Sequence, residues 1–182
     1  MIILLGSLFR QMQNGFLNQE DKGGSVRCKL YFRSNPDGTV RWVWPAGSGN
    51  PVFLKFYNDA SPRAAFLARI IRLLFRFRLQ RLFASGGFYV LFDAARYAAF
   101  EQKLGKDWAL FAGTPGLNQA ALFYGNGSFY KIPAGANATK LLLHEHSALR
   151  KWSAFTFHSI RIPGFEYNNG ILKQEDISAG AH

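Results

Sequence analysis

The amino-acid sequence predicts an α+β protein in which a small accessory α/β domain, residues 26–105, precedes an antiparallel sheet with one helix, residues 106–182. Short segments that alternate apolar and polar residues around Asn, Gly and Pro turns predict hairpins. Three segments between the hairpins predict helices: residues 62–83, residues 94–104 and the stretch that carries Glu145. Because 48% of the 182 residues are hydrophobic and 18% are charged, the chain can bury a substantial core.

The first elements are predicted from turn chemistry. Residues 1–25 are expected to be a partly disordered lead-in. The apolar opening is too short to span a bilayer and fits a terminal strand or an unstructured start, and residues 11–24 are rich in Gln, Asn, Gly and charge, as in a loop. Residues 26–33 and 39–44 alternate around the turn at 35–38 and predict a hairpin. Residues 52–57 (VFLKFY) predict a third strand.

Two helices are predicted in the accessory part. Ser61 followed by a proline is a typical helix start, and the periodic pattern runs to about Phe83, before two glycines. A short strand, residues 88–92, follows. Asp93 is expected to cap a helix over residues 94–104.

The first of these helices is strongly basic. Residues 62–83 hold six Arg and no acid, and the first hundred residues hold 14 Lys and Arg against 5 Asp and Glu. At 100° per residue Arg69, Arg72 and Arg76 form one stripe. The opposite face carries five apolar residues: Phe66, Ile70, Leu73, Leu74 and Phe77. The stripe can bind nucleic acid or an anionic membrane surface, but we favour a solvated face, because no RNA-binding motif accompanies it.

The second half of the chain carries an ordered set of parts suited to phosphate chemistry. A turn at residues 113–116 lies between two predicted strands, and a third strand carries Lys131. Glu145 follows in a predicted helix. A turn of small residues lets backbone N–H groups approach phosphates, and a lysine adds a point charge that an anionic neighbour must hold in place.

On these residues, the segment from Trp108 to about Ser178 resembles the amino-terminal lobe of the aminoglycoside and choline kinase-like phosphotransferases. The final hairpin, residues 165–177 around Asn168-Asn169-Gly170, is part of the resemblance. The resemblance implies that Lys131 contacts the α and β phosphates of ATP, that Glu145 pairs with it, and that the backbone near Gln174 meets the adenine. The nucleotide-contacting residues implied are Gly113, Thr114, Gly116, Asn118, Lys131, Glu145, Gln174 and Asp176.

The expected function is therefore the amino-terminal part of an ATP-dependent phosphotransferase that acts on a small-molecule hydroxyl. In this family a second lobe supplies the aspartate base and the Mg²⁺ ligands. The sequence stops at His182, where that lobe is expected to begin, so we expect the chain as given to be catalytically incomplete. A separate chain is one candidate source of the missing lobe. The turn also departs from the triple-glycine pattern, because Pro115 lacks an N–H donor.

Other interpretations stay open at the level of sequence. The chain can instead be a non-catalytic basic module that binds nucleic acid or anionic surfaces, or a scaffold that docks to another chain. His144 and His146 face apart on a helix, which disfavours a shared metal. The single cysteine, Cys28, excludes an intrachain disulfide and fits a reducing cytoplasm.

Overall fold

A computed structural model describes residues 24–57, 60–113, 116–158 and 160–180. These residues form one open, antiparallel sheet of eight strands, ordered β3-β1-β2-β4-β5-β6-β8-β7. The strands are β1 (Ser25–Ser34), β2 (Val40–Pro45), β3 (Gly86–Asp93), β4 (Trp108–Phe111), β5 (Ala120–Gly125), β6 (Ser128–Pro133), β7 (Phe165–Asn168) and β8 (Ile171–Glu175). The predicted α+β class is confirmed. The lead-in predicted for residues 1–25 lies almost wholly outside the described residues.

Three α-helices lie within the described ranges: α1 (Pro62–Arg76), α2 (Ala94–Leu104) and α3 (Ala136–Trp152). Both predicted N-caps are confirmed. The Ser61 hydroxyl accepts a hydrogen bond from the Ala64 amide at 3.2 Å, and the Asp93 carboxylate accepts from the amides of Ala95 and Arg96. These bonds satisfy amides that the first helical turn leaves without a partner.

The predicted hairpins are also present. β1 and β2 pair around the turn at residues 35–38, and β7 and β8 pair around Asn169 and Gly170. Asn169 and Gly170 both have positive φ, 48° and 78°. A type I′ turn requires this of its two central residues, and it matches the twist of the flanking strands.

Residues 52–57 are not a strand, contrary to the prediction. Val52–Phe56 form a 3₁₀-helix, in which the Leu54 amide donates to the Pro51 carbonyl at 3.0 Å. The three-residue spacing of Phe53 and Phe56 matches the period of this helix, whereas in a strand the two rings would project from opposite faces. Phe53 is completely buried, so its packing decides the outcome.

Helix α1 is also shorter than predicted, because it ends at Arg76 and not at Phe83. Arg78 has a positive φ of 59°, which breaks the helix. A second 3₁₀-helix, Gln80–Leu82, follows. The buried Gln80 side chain donates to the Ala46 carbonyl at 2.7 Å and thereby fixes this segment against the end of β2.

The two faces of the sheet are covered by different elements. Helix α2 covers one face, where Phe100 and Leu104 join a cluster that includes Leu110, Phe123 and Ile132. On the other face α1 and the first 3₁₀-helix cover the half formed by β1, β2 and β4, and α3 covers the half near β6 and β8. The candidate site lies on this second face.

The sheet runs through the boundary predicted at residue 105. β2 of the accessory part pairs with β4 of the second part, with Val43 opposite Leu110. The division into two domains stays a prediction, but any two such units share one hydrogen-bonded ladder.

Candidate functional site

Lys131 and Glu145 meet on the second face of the sheet. Tyr130 and Ile132, the neighbours of Lys131 in β6, are buried in the cluster under α2. Because side chains alternate along a strand, Lys131 projects from the opposite face, toward α3. The Lys131 ammonium forms an ion pair with the Glu145 carboxylate, and the two side chains are 24% and 36% exposed. The pairing that the resemblance implies is therefore present, and both groups are reachable from solvent.

Packing of α3 brings Glu145 to this position. Leu142 and Leu149 lie on the inner side of the helix and pack against Leu172 of β8. Leu172 is the direct neighbour of Lys131 in the sheet register. A glutamate between the two leucines therefore faces the strand that carries the lysine.

Gln174 holds the same carboxylate from a second direction. Its side-chain amide donates to Oε1 of Glu145 at 3.0 Å. Gln174 lies opposite Phe129 in the register of β6 and β8, so its side chain projects from the face that carries Lys131. Glu145 thus accepts from two donors on neighbouring strands. The sequence placed Gln174 near the site, but gave no sign of this hydrogen bond.

Gly113, which opens the predicted glycine-bearing turn, lies at the same end of the sheet. Gly113 has φ of 77°, and a Cβ there would stand 2.3 Å from the Ala120 carbonyl oxygen, so only glycine fits. Ala120 opens β5 opposite Pro133, two residues beyond Lys131. This separation corresponds to about 7 Å along the strand. Gly116 and Asn118 are exposed, whereas Thr114 lies outside the described residues.

Asp176 is committed to contacts within the protein. Its carboxylate forms an ion pair with Lys55 at 2.8 Å and accepts from Tyr124 and Ser178. Burial acts to raise the pKa of Asp176, but these donors outweigh it and hold the pKa at about 2. The same surroundings raise the pKa of Tyr124 to about 12, through burial and the nearby Asp176 charge. These contacts occupy both oxygens of the Asp176 carboxylate, so the side chain has no acceptor left for a ligand.

Phe56 of the first 3₁₀-helix covers part of the face that carries Lys131. Its ring centroid lies 5.8 Å from that of Phe111, 6.5 Å from Tyr124 and 6.0 Å from Phe129. Phe129 is two residues from Lys131 and projects from the same face. A flat ligand that lies on Phe129 beside Lys131 must therefore displace Phe56.

The predicted arginine stripe lies apart from the Lys131 pair. Arg72 and Arg76 line a cleft of about 820 Å³ together with Lys55, Tyr124 and Ser178. Arg69 is exposed on the helix and does not line this cleft. The structure thus places the arginines at one end of the second face and the lysine–glutamate pair beneath α3.

Two further features bear on ligands. No group of three His, Cys, Asp or Glu side chains in the described ranges lies close enough to hold a metal ion. His146 instead stacks on Tyr167, with ring centroids 5.2 Å apart.

Within the same ranges, no helix is both long and apolar enough to cross a lipid bilayer.

Comparison of the chain with protein-family models, with curated proteins and with solved structures found no match.

Proposed function

We propose that this chain is the nucleotide-binding, amino-terminal part of an ATP-dependent phosphotransferase that acts on a small-molecule hydroxyl. The observation that carries the proposal is the ion pair between Lys131 and Glu145. It joins two residues that a kinase-like small lobe requires to be paired, on a strand and on the helix that follows it.

The surroundings of Lys131 support a phosphate ligand. Glu145 is held by Gln174 as well as by Lys131, so the carboxylate can orient the ammonium while one side of it stays accessible. An oriented ammonium supplies a point charge to a polyanion without first losing rotamer freedom. Gly113 lies at the same end of the sheet, and Gly116 and Asn118 further along the chain are exposed. Small exposed residues of this kind let backbone N–H groups approach phosphates.

The residues present determine which parts of the reaction the proposal assigns to this chain and which to a second lobe. ATP, when bound, supplies the transferable phosphoryl group. In this proposal Lys131 holds the α and β phosphates, and Glu145 and Gln174 keep Lys131 in position. The proposal assigns no Mg²⁺ ligand to this chain. The base and the Mg²⁺ ligands are proposed to belong to a second lobe, in the same protein or in a partner chain.

Titration calorimetry with ATP tests the proposal. The wild type is expected to bind ATP, and Lys131→Ala is expected to weaken binding by about 10- to 100-fold, as for loss of a charge-assisted hydrogen bond. Lys140→Ala is the matched control, because Lys140 is an exposed lysine of α3. The proposal is wrong if the wild type binds no ATP at millimolar concentration, or if both variants bind like the wild type.

A further inference from the structure

Helix α1 has two apolar faces, and among the residues that the structure describes the sheet and the first 3₁₀-helix pack against one of them. Ala68, Ile71 and Phe75 are buried, and Phe75 packs against Trp44 and Phe53 with ring centroids 6.1 Å and 5.6 Å apart. The other apolar residues, which the sequence placed together on one face, are largely in solvent. Phe66 is 65% exposed, Leu73 52% and Phe77 65%, and Ile70 is exposed beside them. We call Phe66, Ile70, Leu73 and Phe77 the outer apolar face.

The outer apolar face points away from the sheet. At 100° per residue its centre lies roughly 160° from the centre of the buried face. Two more exposed leucines follow the helix in the chain, Leu79 and Leu82, which are 47% and 73% exposed. Monomeric soluble proteins rarely leave a continuous apolar surface of this kind in water, so it indicates an interaction site.

The helix that carries this surface, and the chain that follows it, hold charge of one sign. Between residues 60 and 92 there are six arginines and no acid. All six, from Arg63 to Arg81, are exposed. Arg69 and Arg76 lie along one border of the outer apolar face, and Arg63 lies near the other. A surface that is apolar along its centre and cationic at its margins is complementary to an anionic interface with an apolar interior.

The basic surface extends to the outer edge of the sheet on the same side. Tyr31 packs on Trp44 in the cluster that α1 covers. Arg27 and Lys29 alternate with Tyr31, so they project from the same face. The Arg27 guanidinium lies 3.9 Å from the centre of the Tyr89 ring, and the neighbouring Leu91 is 71% exposed. Cationic and apolar side chains are therefore mixed there as well.

We propose that the outer apolar face of α1 docks this protein on the surface of an anionic lipid bilayer, with the helix lying in the plane of the headgroups. In that position the apolar side chains enter the boundary of the acyl chains, and the arginines meet lipid phosphates and carboxylates. This surface is separate from the Lys131 site and does not depend on the function proposed for it.

The geometry favours a bilayer over other anionic partners. Nucleic acid would neutralise the arginines but would leave the phenylalanine and leucine side chains largely in water. An acidic protein groove that encloses a helix would need more than one side of α1, and the Ala68, Ile71 and Phe75 side is already packed in the core. A flat interface needs only the outer side.

Vesicle co-sedimentation tests the proposal. The full chain is expected to sediment with vesicles that contain phosphatidylserine and to stay in solution with pure phosphatidylcholine. Binding should weaken as salt is added. Phe66→Ser with Leu73→Ser is expected to lower the partition coefficient by at least tenfold, and Arg69→Gln with Arg76→Gln by about fivefold for each charge removed.

Matched variants control for general effects on surface and charge. Leu141→Ser removes a leucine of α3 that is 50% exposed, close to the 52% of Leu73. Arg150→Gln with Lys151→Gln removes two exposed charges from the same helix. Both variants are expected to bind vesicles like the wild type. Equal losses in the α1 and α3 variants would overturn the proposal.

A dye that reports the polarity of its surroundings distinguishes insertion of the outer apolar face into the bilayer from purely electrostatic adsorption on its surface. An environment-sensitive dye attached to Leu73→Cys in a Cys28→Ser background should shift to the blue on anionic vesicles, whereas the same dye at Leu141→Cys should not. The proposal fails if neither dye shifts. It also fails if the chain ignores vesicles but binds a single-stranded RNA in a manner that needs Arg69 and Arg76 and not Leu73.

Discussion

Lys55 and Asp176 form an ion pair that joins the first 3₁₀-helix to the end of β8, with Nζ and Oδ2 2.8 Å apart. The residues are separated by most of the chain, and each belongs to a different predicted domain. Tyr124 of β5 and Ser178 donate to the same carboxylate. The contact holds Phe56, the neighbour of Lys55, over the face of the sheet that carries Lys131.

This ion pair should make stability depend on acid pH. The folded-state pKa of Asp176 is about 2, against an ordinary value of 3.8. A lowered pKa gives stability that is complete above the ordinary value and is lost as the pH falls from about 4 toward 2. Asp176 should thus contribute about 2 kcal/mol over that range. Urea unfolding at several pH values should show a flatter pH profile for Asp176→Asn, whereas the exposed Glu166→Gln should keep the wild-type slope. Parallel profiles for all three proteins would disprove this role.

Asp107 should stabilise the junction between β2 and β4. Its carboxylate accepts from Ser48, from the Gly49 amide and from Asn50 at 2.6–2.8 Å. Burial acts to raise its pKa, but these donors outweigh burial and lower it. Asp107→Ala leaves the Gly49 amide and the Asn50 side chain without this acceptor, while the Ser48 hydroxyl keeps the Asn50 carbonyl, so the free energy of unfolding should fall by about 2 kcal/mol. Tryptophan fluorescence and circular dichroism during urea unfolding measure the loss. An unchanged midpoint would show that the loop finds other partners.

Gly113→Ala should disturb the turn before β5. The added Cβ would stand 2.3 Å from a backbone oxygen, at a residue whose φ is 77°. Strain of this kind costs about 1–3 kcal/mol. Thermal unfolding is expected to show a lower midpoint for Gly113→Ala, while Gly47→Ala, where a Cβ meets open space, stays near the wild type. Equal midpoints for the two variants would contradict the close approach at Gly113.

Phe56→Ala should strengthen the binding of ATP but leave the binding of inorganic triphosphate unchanged. The Phe56 ring covers Phe129, beside Lys131, so a base that lies there must compete with it. Removal of that competition raises the apparent affinity for ATP, because a larger fraction of the protein is able to bind. Inorganic triphosphate uses only the charge of Lys131 and should bind both proteins equally. Calorimetry with both ligands checks this, with Phe155→Ala as a control at an exposed ring far along the chain. Weaker ATP binding by Phe56→Ala would instead mean that the ring helps to form the site.

Local chemistry was enough to predict much of the fold. The turn at Asn169 and Gly170 and the caps at Ser61 and Asp93 each depend on a few adjacent residues, and all three are confirmed. The pairing of Lys131 with Glu145 was implied by the resemblance, and the structure brings the two together.

The errors arose where distant contacts decide the outcome. Val52–Phe56 form a 3₁₀-helix because Phe53 fills a pocket among Trp42, Trp44 and Phe75, which no local pattern reveals. Helix α1 stops early where the Gln80 side chain reaches the Ala46 carbonyl. Periodicity identified the apolar side of α1 that carries Phe66 and Leu73, but it could not show that the sheet packs on the other side.

Labelling with an acyl-phosphate derivative of ATP tests most directly whether Lys131 lies in a nucleotide site. The reagent transfers its acyl group to a lysine beside the bound phosphates, and mass spectrometry identifies the modified lysine. We predict that Lys131 is labelled well above the exposed Lys140 and Lys151, and that excess ATP suppresses its labelling while leaving theirs unchanged. Labelling that follows exposure alone, with no protection of Lys131 by ATP, would contradict the proposed nucleotide site.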